Sequence, residues 1–96
     1  MAITVEIPSA LRRYTHGNAD LVIDTIECPC ASIDGALDAV RSEWPGVMER
    51  IMTEQGELRP HVNVFVNGEN IRYADGLRTP IEDPSTITIL AAISGG

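Results

Sequence analysis

The chain has 96 residues, of which 44% are hydrophobic, and its formal net charge is −7; these values fit one compact globular domain. The negative charge argues against nucleic acid and anionic membrane as partners, since both require a basic surface, and it favours a partner with a basic docking surface. No apolar run is long enough to cross a bilayer and no secretory signal is evident, so we expect a cytoplasmic protein.

Two strands are predicted near the N-terminus. Ile3, Val5 and Ile7 alternate with polar residues, which is the period-two pattern of a strand with one buried face. Residues 21–26 predict a second strand, and the turn chemistry at 15–18 favours an antiparallel hairpin with a long loop.

Two cysteines, Cys28 and Cys30, follow the second strand. Two cysteines do not make a disulfide framework, and a bridge between residues two apart would be strained. Zinc needs four protein ligands, or three and a water, and His16 and His61 lie far off in sequence. The sequence therefore favours reduced thiols and no metal site. A metal site built from these cysteines and histidines is the alternative, and the role of the thiols stays open.

A helix is predicted after the cysteines. Ser32 is a suitable N-cap, and Asp34 is placed to interact favourably with the helix dipole. The apolar residues then recur at spacings of three and four, as in an amphipathic helix: Ile33, Ala36, Leu37, Val40 and Trp44. Proline and glycine at 45–46 predict the end of this helix, and residues 47–52 predict a short helical turn.

The second half of the chain predicts strands again. Residues 62–66 alternate in the period-two pattern, and Asn67-Gly68 is a strong turn signal. Residues 71–73 suggest a short extra strand. The last strand is predicted over residues 86–92, with alternate apolar residues on one face.

The order strand, strand, helix, strand, strand predicts an α+β protein with a single domain over residues 1–96. The helix must cover one face of a mixed four- to five-stranded sheet, because its apolar stripe and the strands' apolar rows need burial. With the first and last strands adjacent, this arrangement is the β-grasp, or ubiquitin-like, fold.

The chain ends in Ser94, Gly95 and Gly96, and we expect residues 92–96 to form a flexible tail. A C-terminal carboxylate is a poor electrophile and must be activated, typically as an acyl adenylate made in a buried site of a partner. Glycine lacks a Cβ, so enzyme backbone can approach it closely, and six extended residues reach about 20 Å. The alternative is an ordinary frayed terminus.

Three stretches resemble the MoaD/ThiS family of ubiquitin-like sulfur carriers. Residues 62–72 (VNVFVNGENIR) resemble its strand and turn, residues 75–81 (DGLRTPI) the next element, and residues 86–96 (TITILAAISGG) its ending. The N-terminal strand also fits, so the resemblance covers nearly the whole chain. Within the family, the chain is most similar to carriers used for cysteine biosynthesis in actinobacteria, and next to the small subunit of molybdopterin synthase.

The resemblance implies a carrier and not an enzyme. An E1-like enzyme would adenylate the carboxylate of Gly96, using ATP and Mg that the carrier itself does not bind. A sulfur donor, either a protein or sulfide, would displace AMP and leave a thiocarboxylate, while Gly95 and Ser94 would thread the tail through the enzyme. The sulfur would then pass to a downstream enzyme. Cysteine, molybdopterin, thiamine and specialised metabolites all remain open as products, and the sequence does not identify the activating enzyme.

A docking patch is predicted from the strand periodicity. If the valines of the third strand face the helix, Phe65 faces outward, and Leu90 does so on the last strand. We hypothesise that these two side chains form an apolar patch that docks partner enzymes. The alternative is that they are isolated exposed apolar residues, which are common.

Two other functions remain open for the same sequence. The activated tail would also suit a ubiquitin-like protein modifier, joined to lysines of other proteins. A β-grasp interaction module with an inert tail is the second alternative. The sequence shows no arrangement of a nucleophile and a base, which argues against an autonomous enzyme.

Overall fold

The computed structural model describes residues 2–24, 31–82 and 84–91. Five strands form one mixed sheet: β1 Ala2–Glu6, β2 Asp20–Asp24, β3 Val62–Val66, β4 Glu69–Asn70 and β5 Ser85–Ala91. The helices are α1 Ile33–Glu43 and α2 Pro45–Ile51, with 3-10 helices at Ser9–Thr15, Ile71–Tyr73 and Gly76–Arg78. No helix in the described part of the chain is long and apolar enough to span a membrane.

The last strand occupies the centre of the sheet, whose order is β2-β1-β5-β3-β4. β1 pairs with β2 in antiparallel and with β5 in parallel orientation, and β3 is antiparallel to β5. The predicted adjacency of the first and last strands is therefore confirmed. The pairing of β5 with β1 ends at Thr88, and its pairing with β3 continues to the final residue, Ala91.

One face of the sheet packs into the core, as the alternating sequence predicts. Val5 and Ile87 are 0% exposed in the two central parallel strands, and they are directly paired. Burying such side chains contributes about 1.5 to 3 kcal/mol each relative to leaving them in water. The opposite face carries the polar residues of the same strands and remains open.

Helix α1 begins and ends with defined hydrogen bonds. The Ser32 hydroxyl accepts from the backbone N–H of Gly35 at 3.2 Å, and Trp44 donates its backbone N–H to the Val40 carbonyl at 2.6 Å. The predicted apolar residues at 33, 36, 37 and 40 are all buried. Trp44 is only half-buried and closes the end of the helix.

We predict that Ser32→Ala lowers the free energy of unfolding by about 1 kcal/mol, because it removes an N-cap acceptor. Chemical denaturation monitored by circular dichroism measures this change. Ser42→Ala, on the exposed side of the same helix, is the matched control and should change stability by less than about 0.5 kcal/mol. An equal loss in both variants would contradict the capping role.

The predicted helix boundary is confirmed: α1 ends at Glu43, just before Pro45, and the predicted short helical turn is α2, with Pro45 in its first turn, where its missing N–H costs nothing. Three other elements differ from the sequence predictions. The extra strand predicted at 71–73 is a 3-10 helix, capped by the Asn70 side chain, which accepts from the N–H of Arg72. The loop predicted after β1 contains the 3-10 helix Ser9–Thr15. Strand β2 covers Asp20–Asp24, and the rest of its predicted span lies outside the described residues.

Candidate functional site at the open sheet face

The point from which the tail leaves the domain is fixed by β5. Ala91 ends this strand and pairs with Val62 of β3, so the described part of the chain ends beside β3. Three of the predicted site residues lie outside the described residues: Ser94, Gly95 and Gly96.

The structure places Phe65 and Leu90 on the same open face of the sheet. Phe65 is paired with Thr88, and Leu90 is the second residue beyond Thr88 on the same strand. The two side chains are therefore diagonal neighbours, with Cα atoms about 7 to 8 Å apart, within reach of an aromatic ring. Leu90 is 50% exposed, whereas Phe65 is half-buried.

Polar side chains surround this pair. Thr88 donates its hydroxyl hydrogen bond to Glu6 Oε1 at 2.6 Å, which fixes a carboxylate beside the pair on β1. On the other side, the Asn70 amide donates to Asn63 Oδ1 at 3.4 Å. The open face therefore has an apolar centre with an acidic margin. Glu6 was not among the site residues predicted from the sequence. Its position opposite Thr88 depends on strand register, which the sequence does not reveal.

A shallow cleft of about 400 Å³ adjoins Leu90. It lies at the end of β1, and its wall includes Glu6, Asp20 and Arg12. Arg12 donates its Nε hydrogen bond to the Ile7 carbonyl at 3.1 Å, so its guanidinium is tied to the domain. The cleft therefore continues the patch formed by Phe65 and Leu90 past the end of β1, beside the C-terminal part of β5.

Within residues 2–24, 31–82 and 84–91, no group of three or more His, Cys, Asp or Glu side chains is arranged to hold a metal ion. His16 packs edge-on against Trp44, with ring centroids 5.3 Å apart. Cys28 and Cys30 lie outside the described residues, so the alternative site that combines them with histidines stays untested.

The sequence matches the ThiS family over residues 6–96. This chain belongs to the ThiS family. It is 33% identical over 98 residues to the sulfur carrier protein CysO of Mycobacterium tuberculosis, with all of both chains covered. It is also 32% identical over 66 residues to small archaeal modifier protein 3 of Haloferax volcanii, covering 69% of this chain and 71% of that protein.

A solved structure supports the same assignment of this ThiS-family chain. This chain superposes with a TM-score of 0.84 on a chain from the crystal structure of the Amycolatopsis orientalis BexX/CysO complex. The two are 36% identical, and the match covers 99% of this chain and 100% of that one. The predicted β-grasp fold is therefore confirmed, as is the resemblance to the MoaD/ThiS carriers.

Proposed function

We propose that this protein is a sulfur carrier whose reactive group is the C-terminal carboxylate of Gly96. The observation that carries the proposal is the position of β5. The central strand of the sheet ends at Ala91, which is paired with Val62 of β3, and five residues ending in two glycines follow it. Fully extended, they reach about 17 Å, so a docked domain can deliver its carboxylate into a partner's active site.

The carrier's chemistry takes place on its own acyl carbon. A carboxylate oxygen of Gly96 attacks the α-phosphorus of ATP, pyrophosphate leaves, and an acyl adenylate forms. Sulfide then attacks the acyl carbon, AMP leaves with the bonding electron pair, and a thiocarboxylate remains after loss of a proton. If a donor protein supplies the sulfur as a persulfide, the same attack gives an acyl disulfide, and a thiol then attacks the donor's sulfur, forms a disulfide with it and releases the thiocarboxylate. ATP and Mg belong to the E1-like partner. The carrier supplies the acyl group and a docking surface and no catalytic base, so it acts as a substrate and not as an enzyme.

We propose cysteine biosynthesis in the cytoplasm as the pathway, because the chain resembles the carriers used there over nearly its whole length. The thiocarboxylate sulfur is a better nucleophile than the oxygen it replaces, and it attacks an activated carbon in the sulfur-accepting enzyme. Molybdopterin, thiamine and specialised metabolites are the other acceptor classes that this chemistry serves.

The patch formed by Phe65 and Leu90 is our proposed docking site for these partner enzymes. Its apolar centre offers Leu90 as an exposed anchor, and Glu6 at the margin suits a partner with a basic rim. The patch shares strand β5 with the start of the tail. Docking here therefore directs the tail toward the same partner.

The decisive measurement is the intact mass of the protein after incubation with ATP, the cognate E1-like enzyme and sulfide. We expect a gain equal to replacement of one oxygen by one sulfur, which fragmentation assigns to Gly96. An unchanged mass, with the same enzyme preparation active on another carrier, would contradict the proposal.

The similarity to small archaeal modifier protein 3 favours protein modification as a second function. All seven basic residues are arginine and the chain has no lysine, so its own side chains offer no amine to an activated tail. Mass spectrometry of a cell extract would therefore show the tail of Gly96 joined to lysines of other proteins, without lysine-linked chains of this protein. Absence of such adducts in cells that make the sulfur product would exclude this second function.

A further inference from the structure

The edge of the sheet at β2 is open within the described part of the chain, where β2 pairs with β1 alone. Just beyond the paired region, Ile7 donates its N–H to the Ala19 carbonyl at 2.7 Å. Hydrogen-bonded pairs alternate along an antiparallel ladder, so Leu21 and Ile23 bond to β1. Val22, between them, points its backbone N–H and C=O away from β1, in the direction in which a further strand could pair.

A groove runs between this edge and helix α1. Two adjoining cavities, of about 620 Å³ and 250 Å³, share the same four lining residues: Val22, Ile23, Ala39 and Glu43. On the α1 side, the groove is lined by three residues with small side chains, Gly35, Ala39 and Ser42. Their spacings of four and three place them on one side of the helix. Strand β2 has five residues, which gives the groove a length of about 17 Å.

The groove is lined by carboxylates and by none of the seven arginines. Its acidic lining residues are Asp20, Asp24, Asp38 and Glu43. Arg41 contacts Asp38 at 3.3 Å from outside the groove, but both side chains are about half exposed, and exposed pairs of this kind interact weakly. The groove therefore has a negative field that a cationic segment would neutralise.

We propose that the β2 edge binds an extended cationic segment of a partner protein as an additional strand. Backbone groups of the segment pair with those of Val22, and its side chains alternate between the two faces of the sheet. On the groove side, arginine or lysine stems lie over Ala39 and their charges reach Asp38 and Glu43. On the open face, an apolar side chain covers Val22, which is 68% exposed.

A second copy of this chain does not fit the same edge. Two β2 strands side by side would bring the carboxylates of Asp20 and Asp24 against one another, and like charges in paired strands are destabilising. The edge is also separated from β5 by β1, a distance of about 10 Å between strands. The segment can therefore bind while the tail and the patch formed by Phe65 and Leu90 engage another enzyme.

The test uses a synthetic peptide that alternates arginine and valine, titrated into the ¹⁵N-labelled full chain and followed by NMR. We expect shifts concentrated at Asp20–Asp24 and on the groove side of α1, with slower hydrogen exchange at Val22. The same peptide, N-methylated on its valines, whose N–H groups would face β2, keeps its charge but cannot pair with this edge in the proposed arrangement, and it should not produce these effects.

Two variants separate strand addition from general attraction to an acidic protein. Glu43→Arg replaces an attractive charge on the α1 side of the groove with a repulsive one and should weaken peptide binding about fivefold, the value of one exposed ion pair at its upper limit. Glu69→Arg, on the exposed strand β4 at the opposite edge, makes the same charge change and should leave binding unchanged. Equal effects of both variants, equal binding of the methylated peptide, or self-association through β2 would overturn the proposal. If the two variants or the two peptides behave alike and the protein stays monomeric, the edge carboxylates serve to prevent aggregation.

Discussion

Deletion of Gly95 and Gly96 is expected to reduce acyl-adenylate formation to background while leaving the free energy of unfolding unchanged. The shortened chain still ends in a carboxylate, but that group now belongs to Ser94 and sits about 7 Å nearer the domain. A docked carrier can no longer place it against the α-phosphate of ATP. ATP–pyrophosphate exchange with the cognate activating enzyme measures this loss. The described core, which ends at Ala91, is untouched.

The control for this deletion keeps the length of the tail. Gly95→Ala adds one methyl group at the position that must pass close to enzyme backbone. We expect it to lower kcat for adenylation and to leave docking intact, whereas the deletion abolishes the reaction. If the shortened protein still binds its partners and supports the same cellular product, the tail is inert and the protein is an interaction module.

The main strands were predictable because each has one buried face. In β1, β3 and β5, burial alternates with the period of two expected from the sequence. The 3-10 helix Ser9–Thr15 gave no such signal, since only Leu11 and Thr15 of it are buried. Thr15 is stabilised there by its hydroxyl, which donates toward the Asn18 carbonyl at 2.7 Å. A buried hydroxyl with a local partner has no periodic signature.

Periodicity also failed where one apolar residue anchors a short turn. Ile71 is 2% exposed, but Tyr73 is 81% exposed, so the segment buries a single side chain and does not alternate. Proline gave a reliable signal by contrast, because it is unfavourable inside a helix and favourable in a first turn, and α1 ends just before Pro45 as predicted. The full extent of α2 was less predictable, since it depends on Val47, Met48 and Ile51 finding a core to enter.

The candidate site was predictable in composition but not in arrangement. Period two places Phe65 and Leu90 on outward positions of their own strands, yet only the register Phe65–Thr88 makes them neighbours. The groove along β2 was not predictable at all. It requires Glu43 of α1 to lie opposite an edge strand, and that placement is a tertiary property, set by how the helix packs on the sheet.

Leu90→Glu is expected to raise the KM for the carrier in adenylation about thirtyfold, the effect of losing an interface hot spot of about 2 kcal/mol. The side chain lies on the open face, so a carboxylate there stays hydrated and the fold is retained. Because Gly96 and its approach are unchanged, kcat at saturating carrier should stay near that of the wild type. Steady-state kinetics with the cognate enzyme and thermal unfolding measure the two effects.

Two further variants decide whether the loss comes from contact or from charge. Leu90→Ala removes the anchor without adding charge and should raise KM in the same direction by a smaller factor. Gln55→Glu adds the same negative charge in an exposed loop and should leave KM unchanged. A rise in KM with Gln55→Glu as large as that with Leu90→Glu would mean that net charge governs association. A normal KM for folded Leu90→Glu would refute the docking patch, because the partner would then recognise this carrier through another surface and receive only its tail.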